Sequence, residues 1–276
     1  MFNNYKIIVI VPAGRKKYME LELIYILKNQ HIIDEYRIYV NTKNSSDKEW
    51  FEALKHENSD FITLNNSLLS NSNLGNNKAV NEIYKYCVEE NTIYIKLDDD
   101  IVWIENDFFE ELINFRIENP DPLIVFPNII NNSIIDHIHQ SQGCLDNMEI
   151  VSYNCLCPEG WANPKVAEKK HRKFIESVKN NDIQKYKFET HIPPSYERVS
   201  INCICWFGKE FKKFSGRIDN GNDEQWLSSD KPKTLGVPIY IFGKKICVHY
   251  SFHPQREYLD KTNILEEYFS LVREQK

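Results

Sequence analysis

The chain has 276 residues and a net charge of −6, with 42% apolar and 27% charged residues. This composition is ordinary for a globular protein with a real core, and the acidic balance disfavours a nucleic-acid binder unless a basic patch is concentrated locally. No segment reaches about 18 consecutive apolar residues, so no transmembrane helix is predicted. The apolar stretch near the N-terminus is too short for a signal peptide, and a cytoplasmic protein is expected.

Strands and helices alternate through the first hundred residues. Strands are predicted where β-branched and aromatic residues cluster, at 7–11, 36–42, 61–64 and 93–97. Helices are predicted between them by apolar residues at helical spacing, at 18–28, 47–55 and 77–89. This order is typical of βαβ units and predicts an α/β fold with a central, mostly parallel mixed sheet flanked by helices.

The second part of the chain is less regular. Asp107 and Glu110 predict a capping box for a helix that ends near Ile117. From about 130 to 200 the pattern degrades, apart from a predicted helix at 164–179. Further strands are predicted at 123–127, 200–208, 237–242 and 245–250. No repeat or linker is visible, which favours a single domain over 1–276.

The seven cysteines form an odd set without the spacing of a disulfide framework, which favours a reduced compartment. Two Cys-x-Cys pairs, Cys155 with Cys157 and Cys203 with Cys205, offer four thiolates that could in principle bind zinc. This spacing is unusual for zinc, and in a strand it places both thiols on one face. We therefore expect both pairs to pack in strands.

Three polar loops follow predicted strands of the sheet, namely 12–15, 41–42 and 98–100. Ligands of parallel sheets bind at the carboxyl ends of the strands, so these loops are expected to meet at one site. Asp98, Asp99 and Asp100 follow a buried strand directly, where adjacent carboxylates repel one another unless a positive charge is present.

A divalent cation would supply that positive charge. Mg²⁺ and Mn²⁺ prefer oxygen ligands and keep positions open for phosphate oxygens. Asp98 and Asp100 should project to the same side if the strand continues, and Asp99 to the other. The alternative is an acidic turn on the surface with hydrated carboxylates. We favour the metal site because the three aspartates follow a buried strand at the edge of the sheet where ligands bind.

Four segments resemble GT-A-fold, DxD-containing glycosyltransferases that use nucleotide sugars, in particular small enzymes of bacteria and large DNA viruses. In chain order these are a first strand and loop, a DxD segment, an acidic acceptor-side segment and a C-terminal segment: IIVIVPAGR, YIKLDDDIVWI, NDEQWLS and KICVHYSFHPQRE. The resemblance implies a GT-A, Rossmann-like sheet. It also implies a nucleotide-sugar-binding half at 1–130 and an acceptor-binding half at 131–276, whose C-terminal segment binds metal and diphosphate.

The resemblance also implies roles for individual residues. The metal ligands for Mn²⁺ or Mg²⁺ would be Asp98, Asp100 and His249, with His253 as a competing candidate. The nucleotide sugar would be bound by residues of the strand-end loops and of the C-terminal segment, namely Pro12, Ala13, Gly14, Arg15, Thr42, Lys78, Asp98, Asp99 and Arg256. Either Asp223 or Glu224 would be the catalytic base.

Tryptophans offer faces on which a sugar can stack, and Trp161, Trp206 and Trp226 are the candidates, with Trp161 preferred because it lies in the irregular region. The cations of the predicted helix at 164–179 are expected to form a solvated face.

We therefore expect a metal-dependent glycosyltransferase that moves a sugar from a nucleoside diphosphate, first of all UDP, to a hydroxyl of a glycan or glycoconjugate. Two alternatives remain at this stage. A sugar-phosphate nucleotidyltransferase also places carboxylates and Mg²⁺ at a strand end, and a non-catalytic carbohydrate-binding module would bind glycans without turnover. The sequence does not indicate the oligomeric state.

Overall fold

A computed structural model describes residues 1–70 and 79–274. Within these residues, eight strands form one sheet. Their bounds are β1 Lys6–Ala13, β2 Glu35–Val40, β3 Ile62–Asn65, β4 Thr92–Leu97, β5 Ile101–Ile104, β6 Val125–Ile130, β7 Cys203–Phe207 and β8 Tyr240–His249.

The longer helices flank this sheet. They are α1 Lys16–Lys28, α2 Ser45–Glu57, α3 Phe108–Glu118, α4 Ser133–Ser141, α5 Pro164–Lys179, α6 His253–Leu259 and α7 Ile264–Glu274. Short helical turns lie between them at Ser67–Ser70, Asn81–Tyr86, Pro158–Ala162, Ile183–Tyr186, Gly208–Lys212, Asp223–Gln225, Trp226–Asp230 and Lys231–Leu235. None of the helices in the described part of the chain has both the length and the apolar character needed to cross a membrane.

The strand order across the sheet is β3-β2-β1-β4-β7-β6-β8-β5. Neighbours β3, β2, β1 and β4 run parallel, as do β6 and β8, whereas β7 is antiparallel to both its neighbours and β5 is antiparallel to β8. The predicted class, α/β with a mixed sheet flanked by helices, is confirmed. Because β7 and β8 insert among strands of the first 130 residues, the two predicted halves share one sheet.

Burial of β-branched residues explains the central strands. Residues Ile7–Val11 are fully buried in β1, and β4 and β6 are buried along their whole length. Strands covered by helices on both faces have no solvent side, so a continuous apolar run is favoured over alternation. Burial of this kind stabilises the fold by about 25 cal/mol per Å² of apolar surface.

Several predicted boundaries differ in the structure. The capping box at Asp107 is wrong: this residue is left-handed (φ 57°) and its side chain makes no capping hydrogen bond, so α3 begins at Phe108. Helix α2 begins two residues before Asp47, because the side chain of Asn44 accepts hydrogen bonds from Ser46 and Asp47. The predicted helix 77–89 lies partly outside the described residues.

The two predicted strands near the C-terminus are one continuous strand, β8, which is irregular opposite Pro127 and Asn128. Gly243 lies in this irregular part, where a Cβ atom would overlap the carbonyl of Phe188. Because glycine has no side chain, the backbone at Phe188 can pass close to β8 at this point. In the sequence the same glycine looks like a break between two strands.

All seven cysteines are free and buried. Cys203 and Cys205 lie in β7 as predicted, but Cys155 and Cys157 lie in a loop, so the strand prediction for that pair is wrong. The described residues contain no group of cysteines arranged to bind a metal.

The basic helix α5 is exposed at Lys165, Lys169 and Arg172, as predicted, but Lys170 departs from the prediction. Lys170 is buried and forms an ion pair with Asp136 at 2.7 Å. Exposed cations of the same helix are paired with acidic side chains, for example Lys169 with Glu149 and Arg172 with Glu168. The helix therefore offers no free basic surface at these positions.

Two buried histidines predict an acid-sensitive fold. Burial lowers the pKa of both His139 and His171 to about 3, from 6.5. Between these values the unfolded chain binds more protons, so the free energy of unfolding falls as the pH falls, by about 1.4 kcal/mol per pH unit for each histidine. Urea denaturation of His139→Gln between pH 6 and pH 4 should show a slope smaller by about that amount. An unchanged slope would contradict the burial of a neutral His139.

Candidate active site

A cleft of about 630 Å³ opens at the carboxyl ends of β1, β2 and β4. Its walls come from both ends of the chain, because loops after these strands face the residues after β7 and the start of α6. The lining residues are Pro12, Gly14, Arg15, Asn41, Val80, Lys96, Asp98, Asp99, Arg198, Ile201, Gly221, Asn222, Asp223, Glu224, His253 and Arg256. The strand-end loops at 12–15, 41–42 and 98–100 each contribute to it, as the topology predicts.

The three aspartates form the tight connection between β4 and β5. The Ile101 amide donates to the Asp98 carbonyl (3.1 Å), and the Asp98 amide donates to the carbonyl of Asn202 (2.8 Å). Both flanking strands are buried, so the carboxylates are fixed by a rigid support.

Asp99 joins the aspartate turn to the loop after β1. One of its oxygens accepts from the Gly14 amide (2.8 Å), and the other forms an ion pair with the guanidinium of Arg15. Gly14 packs closely as well, since a Cβ atom there would lie 3.1 Å from the Asn41 carbonyl. Asp99 therefore supports the site by orienting Arg15 at the cleft.

Asp100 is almost fully buried, with 1% exposure of its side chain. Its Oδ2 atom lies 3.1 Å from Arg15 and 3.4 Å from Arg256. Burial alone would raise the pKa of Asp100, but its interactions with Arg15, His249 and Arg256 outweigh the effect of burial, and the pKa is lowered. Asp100 is therefore an ionised carboxylate inside the protein.

The other oxygen of Asp100 faces His249. Oδ1 is buried without a hydrogen-bond partner, and it lies 3.5 Å from Nε2 of His249. Nδ1 of His249 is 3.1 Å from the Asn131 carbonyl. A carbonyl can only accept, so Nδ1 carries a hydrogen, and Nε2 is the ring nitrogen that faces the carboxylate. The nitrogen and the carboxylate oxygen thus face each other in a buried place, without a hydrogen bond between them.

A divalent cation fits this arrangement. Ligand atoms of Asp98, Asp100 and His249 lie within 4.8 Å of one another. Carboxylate and imidazole suit Mn²⁺, and the imidazole nitrogen not facing the site donates to a carbonyl, as is usual for a metal-binding histidine. The predicted competitor, His253, is exposed at the cleft and is not part of this group.

Asp98 is held from two sides. Nζ of Lys96, which is buried beneath the cleft, donates to Oδ1 (2.5 Å), and Nδ2 of Asn202 donates to Oδ2 (3.2 Å). Lys96 also donates to the Ile201 carbonyl (2.8 Å). Its ammonium partly neutralises the carboxylate cluster from below.

The two candidate bases lie on the opposite wall, in different surroundings. Asp223 accepts a hydrogen bond from the Tyr84 hydroxyl (2.9 Å). Burial raises the pKa of Asp223, and the charge of Lys96 opposes the rise without cancelling it. Glu224 instead forms an ion pair with Arg198 at 2.6 Å, and the same oxygen accepts from the Cys155 thiol (3.3 Å).

The remaining predicted nucleotide-site residues are placed differently. Pro12 lines the cleft, whereas Ala13 is buried behind it and its carbonyl accepts from the Asn41 amide (2.6 Å). The Thr42 hydroxyl accepts from the Asn44 amide at the start of α2 and lies outside the cleft lining. Lys78 lies outside the described residues.

Of the three tryptophans, Trp206 is a core residue: it is fully buried and stacks on Tyr94 and Phe211, so a sugar cannot reach it. Trp226 is partly buried against the core. Trp161 is half-buried beside Phe252, which itself packs on His249. The preference for Trp161 stays a prediction.

Sequence reasoning missed Lys96, Arg198 and Asn202. Lys96 could have been predicted from the sequence, because the two-residue period of a strand places its side chain on the same side as that of Asp98. Arg198 and Asn202 lie at the end of the irregular region, where no local pattern indicates which way a side chain points.

Comparison with known protein families finds no matching family, and no curated protein matches the sequence significantly. Among solved structures, CMP:2-keto-3-deoxy-manno-octonic acid synthetase complexed with CTP has a TM-score of 0.47 and 10% identity, over 98% of this chain and 99% of that one. TarS 1-349 of S. aureus in complex with UDP-GlcNAc has a TM-score of 0.48 and 14% identity, over 97% of this chain but 65% of that one.

A third solved structure, mannosyl-3-phosphoglycerate synthase from Rubrobacter xylanophilus, has a TM-score of 0.32 and 14% identity, over 46% of this chain and 40% of that one. At these values the similarities assign neither a family nor an activity.

A metal site of this kind predicts stabilisation by Mn²⁺. A ligand that binds only the native state at 100 times its Kd stabilises it by about 2.7 kcal/mol. The melting temperature of the wild type should therefore rise with Mn²⁺, and that of Asp100→Asn should not. The exposed Asp121→Asn is the matched control and should respond like the wild type. An equal response of Asp100→Asn would contradict the site.

Proposed function

We propose that the protein is a metal-dependent glycosyltransferase, which transfers a sugar from a nucleoside diphosphate sugar, with UDP as the first candidate, to a hydroxyl of a glycan or glycoconjugate. The observation that carries this proposal is the buried Asp100 carboxylate, whose Oδ1 has no hydrogen-bond partner and faces Nε2 of His249, at the edge of a cleft with partly exposed arginines. The first half of the chain would bind the donor, and residues 131–276 would bind the acceptor.

Asp98, Asp100 and His249 would hold Mn²⁺ or Mg²⁺. A bound divalent cation supplies positive charge that stabilises the departing diphosphate. The protein itself excludes water from two of the three ligands, because Asp100 and His249 are 1% and 3% exposed, and a drier site strengthens electrostatic interactions. Rigid strands on either side of the aspartates keep the ligand atoms in place.

Arg15 and Arg256 support recognition of a diphosphate. Their side chains are 27% and 28% exposed at the cleft, so part of each guanidinium remains open to a ligand. Guanidinium groups bind phosphate oxygens through paired N–H donors. Asp99 and Asp100 hold both arginines in place before a ligand arrives, which reduces the entropy lost on binding.

Asp223 is the better candidate for the base. In the proposed reaction the Asp223 carboxylate takes the proton of the acceptor hydroxyl while that oxygen bonds to the anomeric carbon, whose bond to the diphosphate oxygen breaks. A carboxylate with a raised pKa accepts a proton more readily near neutral pH. Glu224 is engaged by Arg198 and orients the wall of the cleft.

The base assignment predicts different effects for two isosteric substitutions. Asp223→Asn should lower kcat by about 10²–10⁴-fold, the usual contribution of a general base, with little change in the Kd for UDP. Glu224→Gln should lower kcat by a much smaller factor. In the wild type, kcat/KM should fall on acidification through a pKa above that of an ordinary aspartate, because protonation removes the base. A larger loss in Glu224→Gln would reverse the assignment.

The reaction products separate the proposal from its alternatives. Incubation with a panel of nucleotide sugars and Mn²⁺ should release UDP or another nucleoside diphosphate, and EDTA should abolish the release. Pyrophosphate release from a nucleoside triphosphate and a sugar phosphate would instead identify a nucleotidyltransferase. Glycan binding that survives EDTA without any nucleotide release would identify a binding module.

A further inference from the structure

We propose that Asn131 and Asn132, the two residues that follow β6, position His249 and Asp98 for the cation. This inference rests on the metal site of the proposed function and concerns residues that the sequence analysis did not single out. Each asparagine supports one ligand from behind, so the two residues together hold opposite sides of the same site. Neither is a ligand itself, and we call them the asparagine pair.

The first arm runs from Asn131 to His249. The Asn131 carbonyl accepts from Nδ1 of His249 at 3.1 Å, which fixes the ring and leaves Nε2 facing Asp100. Asn131 has a left-handed backbone, with φ 64°. Asparagine tolerates this conformation better than most residues, and here the conformation directs the carbonyl at the histidine.

The side chain of Asn131 holds that backbone in place. Its Nδ2 donates to Oε1 of Gln255 (2.9 Å) and to the carbonyl of Tyr250 (3.2 Å), the residue after His249. Its Oδ1 accepts from Nζ of Lys170 (2.7 Å). All of these groups are buried, so rotation of the side chain would leave unpaired polar atoms without access to water.

The second arm runs from Asn132 to Asp98. Nδ2 of Asn132 donates to Oδ1 of Asn202 (3.1 Å) and to the carbonyl of Ser200 (2.9 Å). Nδ2 of Asn202 then donates to Oδ2 of Asp98 (3.2 Å). Because the first bond uses the Asn202 oxygen, it orients the amide so that its nitrogen faces the carboxylate.

A purely structural role explains this network poorly. Lys170, Asp136, Asn131 and Gln255 are buried polar groups, and apolar side chains of similar volume at such places are often at least as stabilising. The network instead connects to the site. Lys170 and Gln255 also donate to the carbonyl of Gly160, beside Trp161, so the same atoms hold the proposed ligand and the turn next to it.

The chain contains a matched control for general loss of packing. Asn128 lies on β6, three residues before Asn131, and is fully buried. Its Nδ2 donates to two carbonyls, those of Tyr186 and Gly243, and its Oδ1 contacts His139. It makes the same kinds of hydrogen bond as the asparagine pair, but it contacts neither His249 nor Asp98.

The test compares Asn131→Gly, Asn132→Ala and Asn128→Ala with the wild type. Glycine at 131 keeps the left-handed backbone accessible and removes only the side-chain bonds. The Kd for Mn²⁺ is measured by electron paramagnetic resonance of the free ion, without and with UDP, and melting temperatures are measured in parallel. Loss of a supporting contact behind a ligand typically weakens metal binding by about 10–100-fold.

We expect the Kd for Mn²⁺ to rise by about 10-fold or more in Asn131→Gly and Asn132→Ala, and by less than about twofold in Asn128→Ala, although all three melt at lower temperature. Equal losses in all three variants, or wild-type affinity in both members of the pair, would overturn the inference. If Asn131→Gly does not fold, Asn132→Ala and Asn202→Leu test the second arm, and wild-type affinity in both would overturn it.

The proposed function fails separately. A wild type that binds Mn²⁺ but releases no nucleoside diphosphate from any donor contradicts glycosyl transfer, while the affinities of the variants still test the asparagine pair. A wild type that turns over its donor, together with variants of unchanged Mn²⁺ affinity, contradicts only the positioning role.

Discussion

The site depends on the buried, ionised carboxylate of Asp100. An unpaired charge in a protein interior is costly, so the structure surrounds this one with positive groups. Arg15 and Arg256 reach one oxygen, but the other has no hydrogen-bond partner and faces only Nε2 of His249. That single unsatisfied direction is the strongest indication in the structure that a cation belongs there.

The surrounding fold follows from the need to hold these charges still. Parallel strands bring the loops after β1, β2 and β4 to one edge, and the insertion of β7 and β8 adds the opposite wall. Asp99 binds the loop after β1 to the aspartate turn, and Lys96 supports Asp98 from below. The resulting cleft is formed largely before a ligand arrives, which limits the entropy lost on binding.

Local patterns predicted the fold class, the strand-end cleft and the grouping of Asp98 with Asp100, because strand period and parallel topology fix where such residues lie. The place of His249 beside them was expected only from the resemblance of the C-terminal segment. Contacts between distant segments were not predictable. The pairing of Glu224 with Arg198, which makes the two candidate bases unequal, joins residues 26 apart in a region without periodicity. The predicted capping box at Asp107 is wrong because the backbone of this residue is left-handed, although the sequence has a good capping pattern.

The most direct test of the central claim is anomalous diffraction at the manganese edge from crystals grown with Mn²⁺ and UDP. The account predicts an anomalous peak bounded by Asp98, Asp100 and His249, with the diphosphate of UDP on its cleft side near Arg15 and Arg256. A nucleotide bound elsewhere, or one bound in this cleft with no anomalous peak beside Asp100, would contradict it.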